Sequence, residues 1–394
     1  MCRPMQVAGL TVIALLVLGS VGAASAMPLS PGTVRCVNPG GTGGCFSSIQ
    51  AAINASSFGD RINVASGVYV EHITLRDGVS VHGQGWDYTI VDGDFSSSAP
   101  TVSVPAAVSA STVLSGVQVT GGGTGAPSTS PNGGGLSIAG SPQIVNTWVV
   151  SNTGYYGGGV YVHYGSPVLE NVPVWDNRAL YGGGFYITAS PVVTITGNPL
   201  EGVNGTVLQN SATNDGGGFY IADAGAILAG LRIYANSAGN QGGGIHIGNT
   251  TQRVMVWLND ISGNTASHGG GLGATSATQL EIVSNVFGNP LLLWLLGPNA
   301  ATYSAGGARF SGSAGTVTGN LFFGNVAQSG DGGGAWVFGP SQNLRITGNW
   351  FESNTAHSFG GGLSLDTGAA PLIEANTFVT NTACSGVGIH AYQA

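Results

Sequence analysis

The chain has 394 residues, a formal net charge of −8, and 9 basic side chains of which none is lysine. Scattered arginines exclude the clustered cationic surface that nucleic-acid phosphates require, so no nucleic-acid partner is expected. The 69 glycines would suit a disordered polymer, but hydrophobic residues make up 42% of the chain and recur in register, which predicts order.

Met1 to Ala26 combines Arg3, an apolar run from Val7 to Val21 and Ala24-Ser25-Ala26, the pattern of a secretory signal peptide cleaved after Ala26. The run is shorter than a bilayer requires, so no transmembrane span is expected after cleavage and the mature chain is expected outside the cell or on its surface. Residues 27–60 read as an N-terminal cap and residues 61–394 as one solenoid domain. Cys36 and Cys45 bracket a glycine-rich loop. In an exported chain with no second Cys/His pair nearby, a disulfide is favoured over a metal site, and Cys384 is left over. Ser47-Ser48-Ile49-Gln50 has the spacing of a capping box. Ile49, Ala52 and Ile53 give a short helix one apolar face, suited to covering the first coil.

From Ile62 to Thr120 the alternating runs amount to about two irregular coils, and Gly121 to Pro131 reads as a loop. Glycine triplets then begin at Gly133, Gly157, Gly182, Gly216, Gly242, Gly269, Gly332 and Gly360, with degenerate copies at Ala305 and Gly386. A period of about 26 residues is the mark of a solenoid, in which each unit buries its apolar face only by stacking on its neighbours. Every second residue after each triplet is apolar (Phe185/Ile187, Phe219/Ile221, Ile245/Ile247, Leu363/Leu365), a strand with one buried face. Phe351 belongs to the inward set and Ser364 to the outward one. Upstream, an apolar residue stands three places before an asparagine (Ile233/Asn236, Ile261/Asn264, Phe322/Asn325, Phe351/Asn354, Phe378/Asn381). Stacked asparagines, tolerant of left-handed backbone, suit a corner repeated along the stack. Two or three short strands per coil describe an all-β, right-handed parallel β-helix with a short N-terminal capping helix. Insertions fall near residues 198–205 and 290–304. The second carries the apolar run Leu291 to Leu296, expected to tuck against the solenoid. No cap is evident after the last triplet, which leaves end-to-end or Cys384-mediated association open.

The pairing of F-x-x-N, as in Phe351-Glu352-Ser353-Asn354, with Gly243-Gly244-Ile245 and its equivalents resembles the repeat of the chlamydial polymorphic outer membrane protein family. More broadly it resembles the pectate-lyase-like β-helix superfamily. The resemblance covers about Gly133 to Ala394 and implies a β-helix at a cell surface. The family's C-terminal barrel is missing, so self-export and outer-membrane anchoring are not implied.

A polysaccharide lyase needs a basic residue beside clustered carboxylates, and no acidic cluster surrounds an arginine in the sequence. A glycosidase needs two carboxyl groups about 5 to 9.5 Å apart. Asp215 and Asp331 both precede triplets but lie about four coils, or about 19 Å, apart. Asp92-Gly93-Asp94 reads as a turn. His163, His246, His268 and His390 fall on separate coils and read as surface histidines, so no metal and no cofactor is expected. What remains is a row on the outward face of the post-glycine strands: Tyr161, Tyr186, Tyr220, His246, Arg309, Trp336 and His390. His163, Phe338 and Tyr392 stand two places further on. In-register coils would make these one stripe, stacked on itself and suited to a long glycan. The expected role is non-catalytic surface display or binding of polysaccharide or another cell-surface polymer. A carbohydrate-active enzyme is the alternative.

Overall fold

The computed structural model describes residues 32–96, 98–197 and 205–393, so the leader and most of the first insertion lie outside it. Each regular coil runs through four short strands, for example Gln143–Val145, Trp148–Val150, Thr153–Tyr156 and Val160–His163. Their stacked equivalents form sheets I to IV, of 13, 12, 8 and 12 parallel strands among the described residues. Sheet III is absent from the first coils, where the chain passes from II directly to IV. The result is a parallel β-helix. Its fourth sheet is one more than the two or three strands per coil expected, because the sheet III strands are as short as Ser211–Ala212.

Alternation fills the interior. Phe185, Ile187, Phe219, Ile221, Ile245 and Ile247 are fully buried, and the facing row Phe287, Phe322, Phe351 and Phe378 stacks at 4.7, 4.7 and 4.9 Å between ring centroids. One coil spacing thus becomes one ring spacing, which favours the offset stacking that aromatic pairs prefer.

Two asparagine ladders hold the corners. At the II–III corner, Asn152, Asn177, Asn210, Asn236, Asn264, Asn299, Asn325, Asn354 and Asn381 run the length of the regular coils. Asn236 N and Nδ2 both donate to Asn264 Oδ1, at 2.9 and 3.0 Å, and Asn264 Nδ2 donates on to Asn299 Oδ1 at 3.0 Å. A second ladder, Asn259, Asn285, Asn320, Asn349 and Asn376, occupies the I–II corner. The left-handed residue is the one before the ladder asparagine, not the asparagine itself: Asp176, Gln209, Ala235, Gly263, Gly324 and Ser353 all have φ between 51° and 66°. The kink is made one residue early, which frees the asparagine to bond along the stack.

The glycine triplets turn the chain from sheet III into sheet IV. Gly332 has φ +69°, and a Cβ on Gly334 would lie 2.5 Å from the carbonyl oxygen of Gly362 on the next coil. Only bare backbone lets the coils approach this closely.

At the N-terminal end, helix α1 (Ile49–Asn54) buries Ile49, Ala52 and Ile53 over the first coil. Its N-cap is Ser48 rather than Ser47, and the Glu71 carboxylate accepts from Ser48 Oγ and from the Ile49 and Gln50 amides at 2.7 to 3.0 Å. A carboxylate at a helix N-terminus satisfies first-turn amide donors that have no partner within the helix. Cys36 and Cys45 form a disulfide and Cys384 is free and exposed. The strand Val34–Val37 pairs with Arg61–Val64, so the segment read as a cap also contributes to sheet I. The second insertion does not tuck in as expected. It forms a four-residue helix, α2 (Leu293–Leu296), that leaves Leu291 and Leu295 79% and 62% exposed, while Leu296 lies against Gly263. Among the described residues no helix is long and apolar enough to cross a membrane.

Candidate functional site: an aromatic groove between sheets III and IV

The glycine turn is so sharp that outward-facing rings of sheets III and IV touch across it. Tyr156 on sheet III lies 4.6 Å from Tyr186 on sheet IV, and Tyr181 lies 5.8 Å from Tyr220. The two outward faces therefore form a concave groove along the solenoid. With two or three strands expected per coil, sheet III is not singled out in the sequence, and this wall is not anticipated.

Strand pairing places Tyr161, Tyr186, Tyr220, His246, Gly273, Arg309, Trp336, Ser364 and His390 in one row on successive coils. Tyr186 and Tyr220 stack at 4.8 Å with 3° between planes, flanked by Tyr161 at 5.8 Å and His246 at 5.0 Å. Burial among these rings pushes the Tyr186 hydroxyl's pKa up, and neighbouring tyrosines push it further. The second column is not a stripe. His163 pairs with Thr188, and Ser311 with Phe338, so small polar residues separate the rings. His163 stacks on Tyr161 and Phe338 on Trp336, while Tyr392 is exposed at the last coil.

Gly273 and Ser364 break the row, and each break is filled differently. At Ser364, which keeps its place in the outward row but is covered by its neighbours, a cavity of about 280 Å³ is lined by Asp331, Phe359, Asp366, His390 and Tyr392. His390 stacks on Phe359 at 4.4 Å instead of on Trp336. Burial holds the Asp331 carboxyl above its ordinary range, and the charge of Asp366 adds to this. The sequence reading set Asp331 beside Asp215 and rejected the pair as too far apart. The carboxylate that shares its cavity is Asp366, one coil on.

At Gly273 the missing side chain leaves space between His246 and Arg309. His246 is only 4% exposed, a correction to its reading as a surface residue, because Gly248 and Gly273 beside it are too small to prop it outward. Burial drives its pKa down to about 3, so the ring is neutral. Arg309 reaches back two coils, donating from Nη1 to Gln241 Oε1 and, at 3.4 Å, to Thr275 Oγ1. Asp215 is near enough to influence Arg309 but is held by the Gln241 amide and Asn240 Nδ2, at 3.0 and 2.8 Å. An arginine with histidines and a carboxylate around it thus exists here, where the sequence offered none. His268, from sheet III, lies 6.4 Å from the Trp336 ring, and the Arg309 guanidinium carbon sits 5.3 Å from the same ring. Among the described residues no three His, Cys, Asp or Glu side chains are grouped to hold a metal ion.

A separate aromatic group lies on the outer face around sheet II, where Trp86 stacks on Trp148 at 3.6 Å and Trp175 meets Trp148 edge-on at 6.5 Å.

The family model described as right handed beta helix region matches residues 200–394. No curated protein matches the chain. Among solved structures, the A-module of mannuronan C-5 epimerase AlgE6 from Azotobacter vinelandii is similar at 14% identity and TM-score 0.50, covering 88% of this chain and 93% of that one. A pectin methylesterase, PemA from Erwinia chrysanthemi, aligns at 11% identity and TM-score 0.27 over 74% of this chain and 80% of its own. The Dettilon tailspike protein aligns at 14% identity and TM-score 0.36 over 87% and 64%. The family model and the likeness to the epimerase A-module support the right-handed parallel β-helix and nothing finer.

Proposed function

We propose that the protein is an extracellular or cell-surface polysaccharide-binding β-helix whose groove between sheets III and IV holds an extended glycan chain. The observation that carries this reading is the row Tyr161, Tyr186, Tyr220 and His246, extended by Trp336. It is walled by Tyr156 and Tyr181 in a concave surface with few charges. Rigid amphipathic rings offer large contact area with little rotamer entropy to lose, and their spacing is fixed by the backbone before any ligand arrives. The leader pattern and the Cys36–Cys45 disulfide support an oxidising, extracellular location. The resemblance to surface-protein repeats fits the same place.

The test is retention on an array of microbial and plant glycans. Wild type is expected to be retained by at least one polymer, and Tyr186→Ser combined with Trp336→Ser to lose that retention with its melting temperature nearly unchanged. An array that retains nothing refutes the reading. A second reading, hydrolysis of the bound chain, is favoured by one observation: Asp331 and Asp366 line the same cavity, and the Asp331 carboxyl is biased toward the protonated form that a general acid needs. New reducing ends released by wild type and not by Asp331→Asn would establish it.

A further inference from the structure

Among the described residues, five buried side-chain nitrogen or oxygen atoms have no hydrogen-bond partner, and four of them belong to one cluster: His246 Nδ1, His268 Nδ1, Arg309 Nε and Trp336 Nε1. Buried polar atoms are almost always paired, so four orphans on four coils in one place need a reason. Sheet III supplies His268 and sheet IV the other three. Packing alone does not supply a reason, since a phenylalanine or leucine at any of these positions would leave nothing unsatisfied.

The chemistry of the four atoms defines what is complementary to them. Arg309 Nε and Trp336 Nε1 can only donate, and each imidazole donates from Nδ1 in one of its two neutral tautomers. The half-buried guanidinium forms no ion pair among the described residues. Its Nη1 bonds only neutral oxygens, and Asp215 is already held by Asn240 and Gln241. A half-buried cation with no carboxylate in contact is costly, and an oxyanion removes that cost while accepting from Arg309 and the unpartnered donors beside it. Space for it begins at Gly273. A Cβ there would stand 3.2 Å from Gly242 N, 3.4 Å from His246 Nδ1 and 3.6 Å from Gln241 Cβ, so any side chain at this place would take up the clearance beside His246 Nδ1 that an oxyanion must use.

We propose that the floor at Gly273, bounded by His246, His268, Arg309 and Trp336, is a binding site for one oxyanion substituent of a sugar, a carboxylate or a sulfate. Arg309 exchanges Gln241 for the incoming oxygens. The site rests on the glycan reading of the groove only for the carrier of the anion.

The test uses monosaccharides, so it does not depend on whether a polymer fits the groove. Protein labelled at tryptophan indole nitrogen is titrated with glucuronate, glucose 6-sulfate and glucose, with the Trp336 resonance assigned through Trp336→Phe. At least one charged sugar is expected to shift that resonance saturably and glucose to leave it unmoved, and whichever acid acts distinguishes carboxylate from sulfate. Arg309→Gln should weaken the response about tenfold to a hundredfold, the worth of a charge-assisted hydrogen bond. Gly273→Ala, whose backbone is not left-handed and whose nearest neighbour would be 3.2 Å away, should abolish it with the melting temperature retained. The proposal is overturned if neither acid shifts Trp336, if glucose shifts it equally, or if the shift survives in Arg309→Gln. Each of those results leaves polymer retention by the aromatic row untouched.

Discussion

Asn264→Ala probes the ladder that sets the coil register. The Asn264 side chain accepts from Asn236 N and Nδ2 at 2.9 and 3.0 Å and donates to Ile233 O at 2.8 Å and to Asn299 Oδ1 at 3.0 Å. Alanine leaves two buried donors of Asn236 without an acceptor and removes a donor from two buried oxygens. At about 1 to 3 kcal/mol for each donor left unsatisfied, the expected loss is about 2 to 6 kcal/mol. Equilibrium urea unfolding followed by circular dichroism measures it against Asn343→Ala at an exposed position, expected within about 0.5 kcal/mol of wild type. Hydrogen exchange adds a local readout, because the Asn236 amide loses its acceptor and should exchange faster. A loss near 1 kcal/mol, or one equal to that of Asn343→Ala, would mean that the ladder is a consequence of stacking and not one of its supports.

Other outcomes follow from the same geometry. Gly334→Ala should destabilise more than Gly332→Ala in thermal melts. Ala305 already occupies the first triplet position with φ 64°, so the 2.4 Å approach of a Gly332 methyl to the Ala335 carbonyl of its own coil can relax, whereas a methyl on Gly334 meets the Gly362 carbonyl of the next coil at 2.5 Å. Phe351→Ala should cost about 3 to 5 kcal/mol in the same unfolding assay, since it empties a site stacked on both sides, and Trp350→Ala, 44% exposed, under about 1. His246 has a folded-state pKa of about 3, below its unfolded value, so its contribution is fully present above about pH 6.5 and is lost as pH falls toward 3. His246→Gln should therefore flatten the fall in melting temperature between pH 6.5 and 4. An unchanged slope would refute burial of a neutral ring.

Much of this architecture is legible in the sequence because a solenoid repeats its instructions. The glycine triplets, the alternation after them and the asparagines at one corner each recur on successive coils, and averaging over coils lifts a weak local pattern above noise. Sheet III was missed because strands such as Ser211–Ala212 are too short to alternate. Its sign is a nearly buried alanine two places after seven of the nine II–III ladder asparagines (Ala179, Ala212, Ala238, Ala266, Ala301, Ala327 and Ala356). The second ladder carries the same spacing in every member (Val256/Asn259, Ile282/Asn285, Val317/Asn320, Ile346/Asn349 and Ile373/Asn376), so it was within reach of the pattern that flagged the first and was missed only because that pattern was followed at one corner. The groove was harder still. Its outward row was legible as a list of residues, but the burial of His246 depends on the smallness of Gly248 and Gly273, and the approach of His268 to Trp336 spans coils that no local window connects.

The central claim is that the groove between sheets III and IV is where a glycan lies, and hydroxyl-radical footprinting reads it residue by residue. With a polymer that retains the protein present, oxidation of Tyr161, Tyr220 and Trp336 is expected to fall severalfold, while Trp257 and Trp350, exposed on other faces, keep their rates. Protection of the Trp86, Trp148 and Trp175 group with the groove unprotected would place the glycan on sheet II and contradict the account.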